Sequence, residues 1–271
     1  MRVPNHHAAT SYEAAQRLHA FAVQREFHGL HPATQHAVTQ LFCVGDDDND
    51  NNDNTTRREV VDVYQTNSFQ LPNETEGGLF LTLARLNHSC RPNSNHIWRP
   101  DLQQTLLFAT KDIAIGDEIF TTYGPAECLD TEGRQNYLKS RFFFDCQCSM
   151  CQEGDQSGGD ARMVELNALQ EDISLLAQSG QPKAAIEAVE RCRGLLKEQG
   201  IGSGVFVKAV LHLGYQVSLV GLEDQAMAKS YLDQELVATN MCEGVGSPNS
   251  IKIEKLLQDM TVEVCGSGEL N

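Results

Sequence analysis

This sequence has no long apolar run, and its basic residues are few relative to its acidic ones. No stretch of about 18 or more apolar residues occurs, so we expect no membrane span. The first seven residues have no apolar core of the kind that a secretory signal needs. The lack of a membrane span and the lack of a signal core both favour an intracellular protein, in the nucleus, the cytoplasm or both.

The charge balance is strongly acidic. Lys and Arg number 21 against 37 Asp and Glu, which gives a formal net charge of −16 over 271 residues. A negative field of this size disfavours direct binding of nucleic acid and favours basic polypeptides as partners. An acidic surface can also serve solubility alone. Nothing in the composition indicates the oligomeric state.

Nine cysteines are present, and three of them, Cys146, Cys148 and Cys151, have the spacing C-x-C-x2-C. In a reducing compartment such clustering favours a metal over disulfides. Zn²⁺ takes four ligands in a tetrahedron, at about 2.3 Å from sulfur, so a closed site needs a fourth ligand from elsewhere in the chain. The alternative is a set of unligated thiols, which would oxidise readily.

The amino-terminal part divides into two segments. In residues 1–44 the spacing of apolar residues predicts a helix at Tyr12–Phe27, and Pro32 predicts the start of a second helix that runs towards Phe42. Residues 45–58 include an acidic, low-complexity run without apolar anchors, which predicts a disordered loop. Its aspartates lack the glycine and glutamate offsets of a calcium loop, so calcium binding is not expected.

Residues 59–140 consist of short apolar runs broken by turns, which predict a compact, irregular β-rich unit. Residues 141–152 carry the cysteine triad. The predicted strands are Leu79–Leu83, Ser94–Trp98, Thr105–Ala109 and Glu118–Thr122.

After the linker Glu153–Asp160, residues 161–263 have helical periodicity throughout, with one stripe formed by Leu166, Leu169, Ile173 and Leu176. Successive helices of this length are similar to a tetratricopeptide-like array, and an irregular helical bundle is the alternative. The fold class predicted for the whole chain is therefore α+β, with the β-rich core first and an all-helical extension after it.

Four features in order carry a family resemblance. Asn87–Asn93 reads N-H-S-C-R-P-N, and Ile113–Ile119, Thr122-Tyr123-Gly124 and the cysteine triad follow within about 65 residues. This series resembles the SET domain of protein lysine methyltransferases. It is most similar to the group with a split SET domain, the SET-and-MYND proteins and their fungal relatives.

The resemblance implies two cofactors, S-adenosylmethionine and a post-SET Zn²⁺. Cys90 would complete the zinc site with Cys146, Cys148 and Cys151. Asn87, His88 and Phe144 would bind S-adenosylmethionine, with Phe144 on the adenine. Tyr123 would contact the cofactor and act as the catalytic tyrosine, and Phe69 would wall the lysine channel.

Two features of the family are not found: the Gly-x-Gly turn ahead of Asn87, and the MYND finger. A truncated gene model or a real loss would explain this, and either would leave one side of the cofactor pocket incomplete. The expected function is S-adenosylmethionine-dependent methyl transfer to lysine in a protein substrate, histone or non-histone. The alternative is a catalytically inactive zinc-binding scaffold whose helical domain binds protein partners.

Overall fold

The computed structural model describes residues 1–4, 12–43, 60–71, 76–124, 129–154, 158–201 and 204–266. The chain forms two compact units. The first comprises Met1–Leu86 and Ser140–Phe144, and the second comprises Asn87–Lys139 and Asp145–Asn271. The acidic segment predicted as a loop at 45–58 lies outside the described residues.

The first unit packs helices against a small antiparallel sheet whose strand order is β1-β3-β2. Val23 and Val63 are fully buried in its core, and Tyr64 is 2% exposed. The sheet requires glycine in β3, because a Cβ on Gly77 would lie 2.6 Å from the Tyr64 hydroxyl oxygen. The elements are β1 Arg2–Pro4, α1 Tyr12–His28, α2 Pro32–Thr39, α3 Val60–Asn67, β2 Phe69–Gln70 and β3 Glu76–Gly78.

Two expectations for this region are wrong. Val60–Asn67, placed by sequence within a β-rich unit, is the helix α3. Leu79–Leu83, predicted as a strand, forms no strand and leads into a 3₁₀ turn at Leu83–Arg85. Leu79 and Leu83 are both buried, whereas Leu81 between them is only partly buried, so the segment does not show the continuous buried face of a strand with period two.

The second unit begins with four strands: β4 Asn87–His88, β5 Ser94–Arg99, β6 Gln104–Ala109 and β7 Phe120–Thr121. β5 and β6 form an antiparallel hairpin in the predicted positions, with Ser94 opposite Ala109. β4 and β7 pair in parallel, with Asn87 opposite Phe120 and His88 opposite Thr121. β7 is shorter than the predicted strand Glu118–Thr122.

Helices form the rest of the second unit, and each of α6 to α9 packs against the next in chain order. Leu166 and Ile173 of the predicted stripe are fully buried. α9 also packs against β5 and β6, where the Asn95 side-chain amide donates a 2.9 Å hydrogen bond to the Cys242 carbonyl. The helices that follow β7 along the chain are α4 Thr131–Phe142, whose last three residues are counted with the first unit, α5 Ser149–Glu153, α6 Gly159–Gln178, α7 Pro182–Glu198, α8 Val205–Gln216, α9 Gln225–Glu243 and α10 Pro248–Gly266, with a π-helical turn at Val217–Gly221.

The predicted α+β class, a β-rich region followed by a helical one, is confirmed. The break between them is short, because α5 ends at Glu153 and α6 begins at Gly159. Among the described residues no helix is long and apolar enough to cross a membrane. The exact domain limits given above stay predictions.

Candidate active site and metal centre

The parallel pairing of β4 with β7 builds the candidate active site, and Asn93 fixes it. The side chain of Asn93 accepts a 2.8 Å hydrogen bond from the Phe120 N–H and donates one of 2.9 Å to the Glu118 carbonyl. Ser94 adds a 2.7 Å hydrogen bond from its hydroxyl to the Phe120 carbonyl. A two-residue strand has few ladder bonds of its own, so these side chains hold β7 in register.

His88 connects the two halves of the site. Its Nδ1 accepts a 3.1 Å hydrogen bond from the Tyr123 backbone N–H, which places the ring proton on Nε2. Nε2 lies 3.3 Å from the Cys90 sulfur. Burial lowers the pKa of His88 to about 4, against the weaker opposing effect of Cys148, so the ring is neutral at pH 7. Both ring nitrogens are engaged within the protein.

Asn87 is the first residue of β4, and Tyr123 follows the end of β7 by two residues. The rings of Tyr123 and His88 are 5.4 Å apart between centroids. Asn87 is exposed, and its amide donates a 2.6 Å hydrogen bond to the Glu118 carboxylate. Burial, and then the negative charge of Glu118, raise the pKa of Tyr123. The Tyr123 phenol is therefore protonated at neutral pH.

The structure brings Cys90 together with the cysteine triad, although Cys90 and Cys151 are 61 positions apart. The four sulfur atoms lie within 4.8 Å of one another, and the Cys90 and Cys151 sulfurs are 3.6 Å apart. A tetrahedral site with Zn–S bonds of about 2.3 Å has S–S edges of roughly 3.8 Å, so the four thiols fit such an ion. The distance is too long for a disulfide, whose S–S bond is about 2.0 Å.

The close contacts among the four thiols shift their pKa values in opposite directions. A hydrogen bond with Cys146 lowers the pKa of Cys151 to about 7, and the same partner lowers that of Cys148 strongly. The donors in these contacts have raised pKa values, Cys90 through Cys146 and Cys146 through Cys148. A divalent cation at the centre would remove this competition, because each sulfur could then bind it as a thiolate.

Three residues that sequence reasoning did not single out hold the cysteine cluster in place. The Gln135 side chain donates a 2.8 Å hydrogen bond to the Cys146 carbonyl and accepts one of 2.9 Å from the Cys146 N–H. Arg134 is buried and reaches the Met150 carbonyl between Cys148 and Cys151. Arg91 Nη1 lies 2.8 Å from both carboxylate oxygens of Glu153, which ties the loop after Cys90 to α5. No local signal identifies these residues, since their partners are distant in sequence.

The two predicted aromatic site residues belong to the first unit. Phe69 is half-buried in β2, where it pairs with Gly78. Phe144 is half-buried and follows Phe143, which adopts a left-handed backbone with φ of 61°. Asn87, His88, Tyr123 and all four cysteines belong to the second unit. The roles expected of Phe69 and Phe144 stay predictions.

Comparison with known proteins identifies a family and several similar proteins. Residues 4–124 match the SET domain family. The chain is 30% identical over 189 residues to the histone-lysine N-methyltransferase set5 of Schizosaccharomyces pombe, covering 69% of this chain and 58% of that protein. It is 40% identical over 87 residues to mouse protein-lysine N-methyltransferase SMYD4, covering 32% of this chain and 10% of that protein. Human histone-lysine N-methyltransferase SMYD3 is 35% identical over 103 residues, covering 36% and 22% respectively. The chain thus spans less than two thirds of the length of each of these relatives.

Proposed function

Since the chain contains a SET domain and has homologues named as lysine methyltransferases, we propose that it transfers a methyl group from S-adenosylmethionine to a lysine side chain of a protein. Histones are the first substrates to test, because two of the similar proteins are named for histone lysine. The formal net charge of −16 also suits a basic polypeptide.

One observation carries the proposal: the pairing of β4 with β7 places Tyr123 directly beside His88. The contact between the Tyr123 N–H and His88 Nδ1 is 3.1 Å, and Asn87 is exposed next to it. The two sequence segments that resemble the SET signature are therefore adjacent in three dimensions, which supports the proposal. A fortuitous match of two short motifs would not require them to pair.

Cofactor binding in this proposal uses Asn87, His88 and Tyr123. Bound S-adenosylmethionine supplies an electrophilic methyl group on a positively charged sulfur. The side-chain oxygen of Asn87 is an available acceptor on an exposed residue, since the amide nitrogen donates to Glu118.

Tyr123 would orient the lysine amine rather than remove its proton. Its raised pKa keeps the phenol protonated at neutral pH, so the hydroxyl group is a hydrogen-bonding partner and not a general base. A free lysine has a pKa near 10.4 and must lose a proton before it attacks, which a dry, cationic site favours. Positioning by Tyr123 then supplies much of the rate.

The metal in this proposal is a structural Zn²⁺ bound by Cys90, Cys146, Cys148 and Cys151. Four protein thiolates complete a tetrahedron and leave no open position for a reacting group, as in structural zinc sites. Such an ion contributes on the order of 10 kcal/mol of apparent folding free energy. It would fix the strand β4, and with it Asn87 and His88, to the segment around α5.

The test compares wild type with Tyr123→Phe. We expect wild type to bind S-adenosylmethionine in calorimetry and to methylate a lysine-rich protein such as a histone. Tyr123→Phe should keep its cofactor affinity and lose about 100-fold in transfer rate, because it loses a positioning group. Tyr215→Phe, a buried tyrosine of α8, is the matched control and should behave as wild type.

Two outcomes would contradict the proposal. Equal transfer rates in wild type and Tyr123→Phe would remove Tyr123 from the chemistry. A folded wild-type protein that neither binds the cofactor nor transfers methyl would favour the inactive zinc-binding scaffold instead.

A further inference from the structure

A buried arginine lies beside the four-cysteine cluster, and its carboxylate partner among the described residues is 3.8 Å away. Arg134 is 1% exposed and is among the largest fully buried side chains in the described part of the chain. Removing a guanidinium from water costs several kcal/mol unless an opposite charge and good hydrogen bonds compensate. Arginine stays protonated in proteins, so neutralisation by proton loss is not available to it.

The hydrogen bonds of Arg134 go to neutral groups. Nη1 donates to the Leu129 carbonyl at 2.5 Å, and Nη2 donates to the Thr131 hydroxyl at 2.8 Å. Nη2 also reaches the Met150 carbonyl at 3.4 Å. Nε has no hydrogen-bond partner among the residues that the structure describes.

Asp160 is the only carboxylate paired with Arg134 in the described part of the chain, and the pairing is loose. Its Oδ1 is 3.8 Å from Arg134 Nη2. The same oxygen accepts shorter hydrogen bonds from the Thr131 N–H at 2.9 Å and from the Thr131 hydroxyl at 2.8 Å. Asp160 thus caps α4, and most of the countercharge that Arg134 needs must come from elsewhere.

The cysteine cluster can supply that countercharge. A divalent cation with four thiolates carries two net negative charges. Met150, whose carbonyl Arg134 contacts, lies between Cys148 and Cys151. The next residue of α4, Gln135, holds the Cys146 backbone through two hydrogen bonds. α4 therefore supplies both the positive charge of Arg134 and the hydrogen bonds of Gln135 to the same cluster.

We propose that Arg134 is the counter-cation of the metal centre: its buried positive charge offsets the negative charge of the metal–thiolate cluster and so raises metal affinity. The inference rests on the metal site of the proposed function and extends it to a residue outside the ligand set. Arg134 is a positioning and charge-balancing residue and does not ligate the metal.

The test measures zinc affinity by competition with a chromogenic chelator. We expect Arg134→Met to lose at least tenfold in affinity and Arg134→Lys, which keeps the charge, to lose less than threefold. Arg99→Met is the matched control, because Arg99 is also largely buried but pairs with its own carboxylate, Asp101, in the β5–β6 hairpin. It should bind zinc as wild type does. Substitution with Co²⁺ should give the same tetrahedral thiolate spectrum in all variants, which shows that the ligands remain in place.

A further variant keeps the proposal testable if Arg134→Met does not fold. Asp160→Asn retains an oxygen that can cap α4 but removes the carboxylate that shares the charge of Arg134. Zinc affinity should therefore stay equal or rise in Asp160→Asn, and a fall of tenfold would overturn the proposal. Equal losses in Arg134→Lys and Arg134→Met would also overturn it, since hydrogen bonding rather than charge would then matter.

The wild-type measurement separates the two levels of inference. A folded wild-type protein that binds no zinc would contradict the metal site itself. Wild-type binding of one zinc, with unchanged affinity in Arg134→Met, would contradict only the role of Arg134.

Discussion

Replacement of Asn93 by alanine tests whether side-chain hydrogen bonds, rather than the two-residue strand itself, hold β7 beside β4. Asn93 makes two such bonds to the backbone of this segment, to the Phe120 N–H at 2.8 Å and to the Glu118 carbonyl at 2.9 Å. Each is worth about 1 kcal/mol net, so Asn93→Ala should lower the free energy of unfolding by about 2 kcal/mol. For a domain of this size that loss is roughly 4–8 °C in Tm.

Two matched variants, Asn93→Asp and Asn95→Ala, each lose one hydrogen bond and so serve as references for the loss of two in Asn93→Ala. Asn93→Asp keeps the oxygen that accepts from the Phe120 N–H and loses the donor to the Glu118 carbonyl, so we expect a loss of about 1 kcal/mol. Asn95→Ala removes a single hydrogen bond, to the Cys242 carbonyl, and should also lose about 1 kcal/mol. Because β7 leads directly to Tyr123, Asn93→Ala should reduce methyl transfer while Asn95→Ala should not.

Urea unfolding monitored by circular dichroism measures the three stabilities, and a methyl-transfer assay measures the rates. A change below about 0.5 kcal/mol in Asn93→Ala would refute the reasoning, since a surface substitution without a structural role falls in that range. Equal transfer rates in the Asn93 and Asn95 variants would show that β7 keeps its position without the side-chain hydrogen bonds of Asn93.

Three further predictions concern the metal centre and the dependence of stability on pH. Cys90→Ser should lose most of the bound zinc in elemental analysis, and full occupancy with unchanged affinity would show that the fourth ligand is a different residue. Gln135→Leu should weaken zinc binding several-fold, because it removes both hydrogen bonds to the Cys146 backbone. Chelator competition measures this affinity, and an unaltered value would show that these two hydrogen bonds do not support the metal site. Burial lowers the pKa of His96 from 6.5, so its contribution to stability is present above that pH and is lost as the pH falls below it. Urea unfolding at pH 7 and pH 5 should show a smaller loss in His96→Gln than in wild type, and equal losses would contradict this assignment.

The helical parts of the fold follow from the sequence because their pattern is local. α1 begins at Tyr12 as predicted, and α2 begins at Pro32, where proline at the first position suits a helix start. In α6, Leu166 and Ile173 are fully buried, as their helical spacing requires. A repeat of about 3.6 residues specifies both the element and the face that it buries.

Short apolar segments were less predictable, since their conformation depends on what packs against them. Val60–Asn67 is helical, and its buried residues Val61, Val63 and Tyr64 pack in the core of the first unit. At Leu79–Leu83 the chain turns after Gly78, where a Cβ would lie 2.6 Å from the Phe80 ring. Runs of four to eight apolar residues are compatible with either state, so packing decides between them.

The spacing of Cys146, Cys148 and Cys151 was enough to predict a metal site, and the resemblance to SET domains linked Cys90 with them. Only the tertiary structure decided that His88 Nδ1 accepts from the Tyr123 N–H, and that Arg134 and Gln135 support the cluster from α4. The physical reason is the range of the interactions. Helix periodicity and cysteine spacing act over a few residues, whereas His88 and Tyr123 are 35 positions apart and meet only because β4 and β7 pair in parallel.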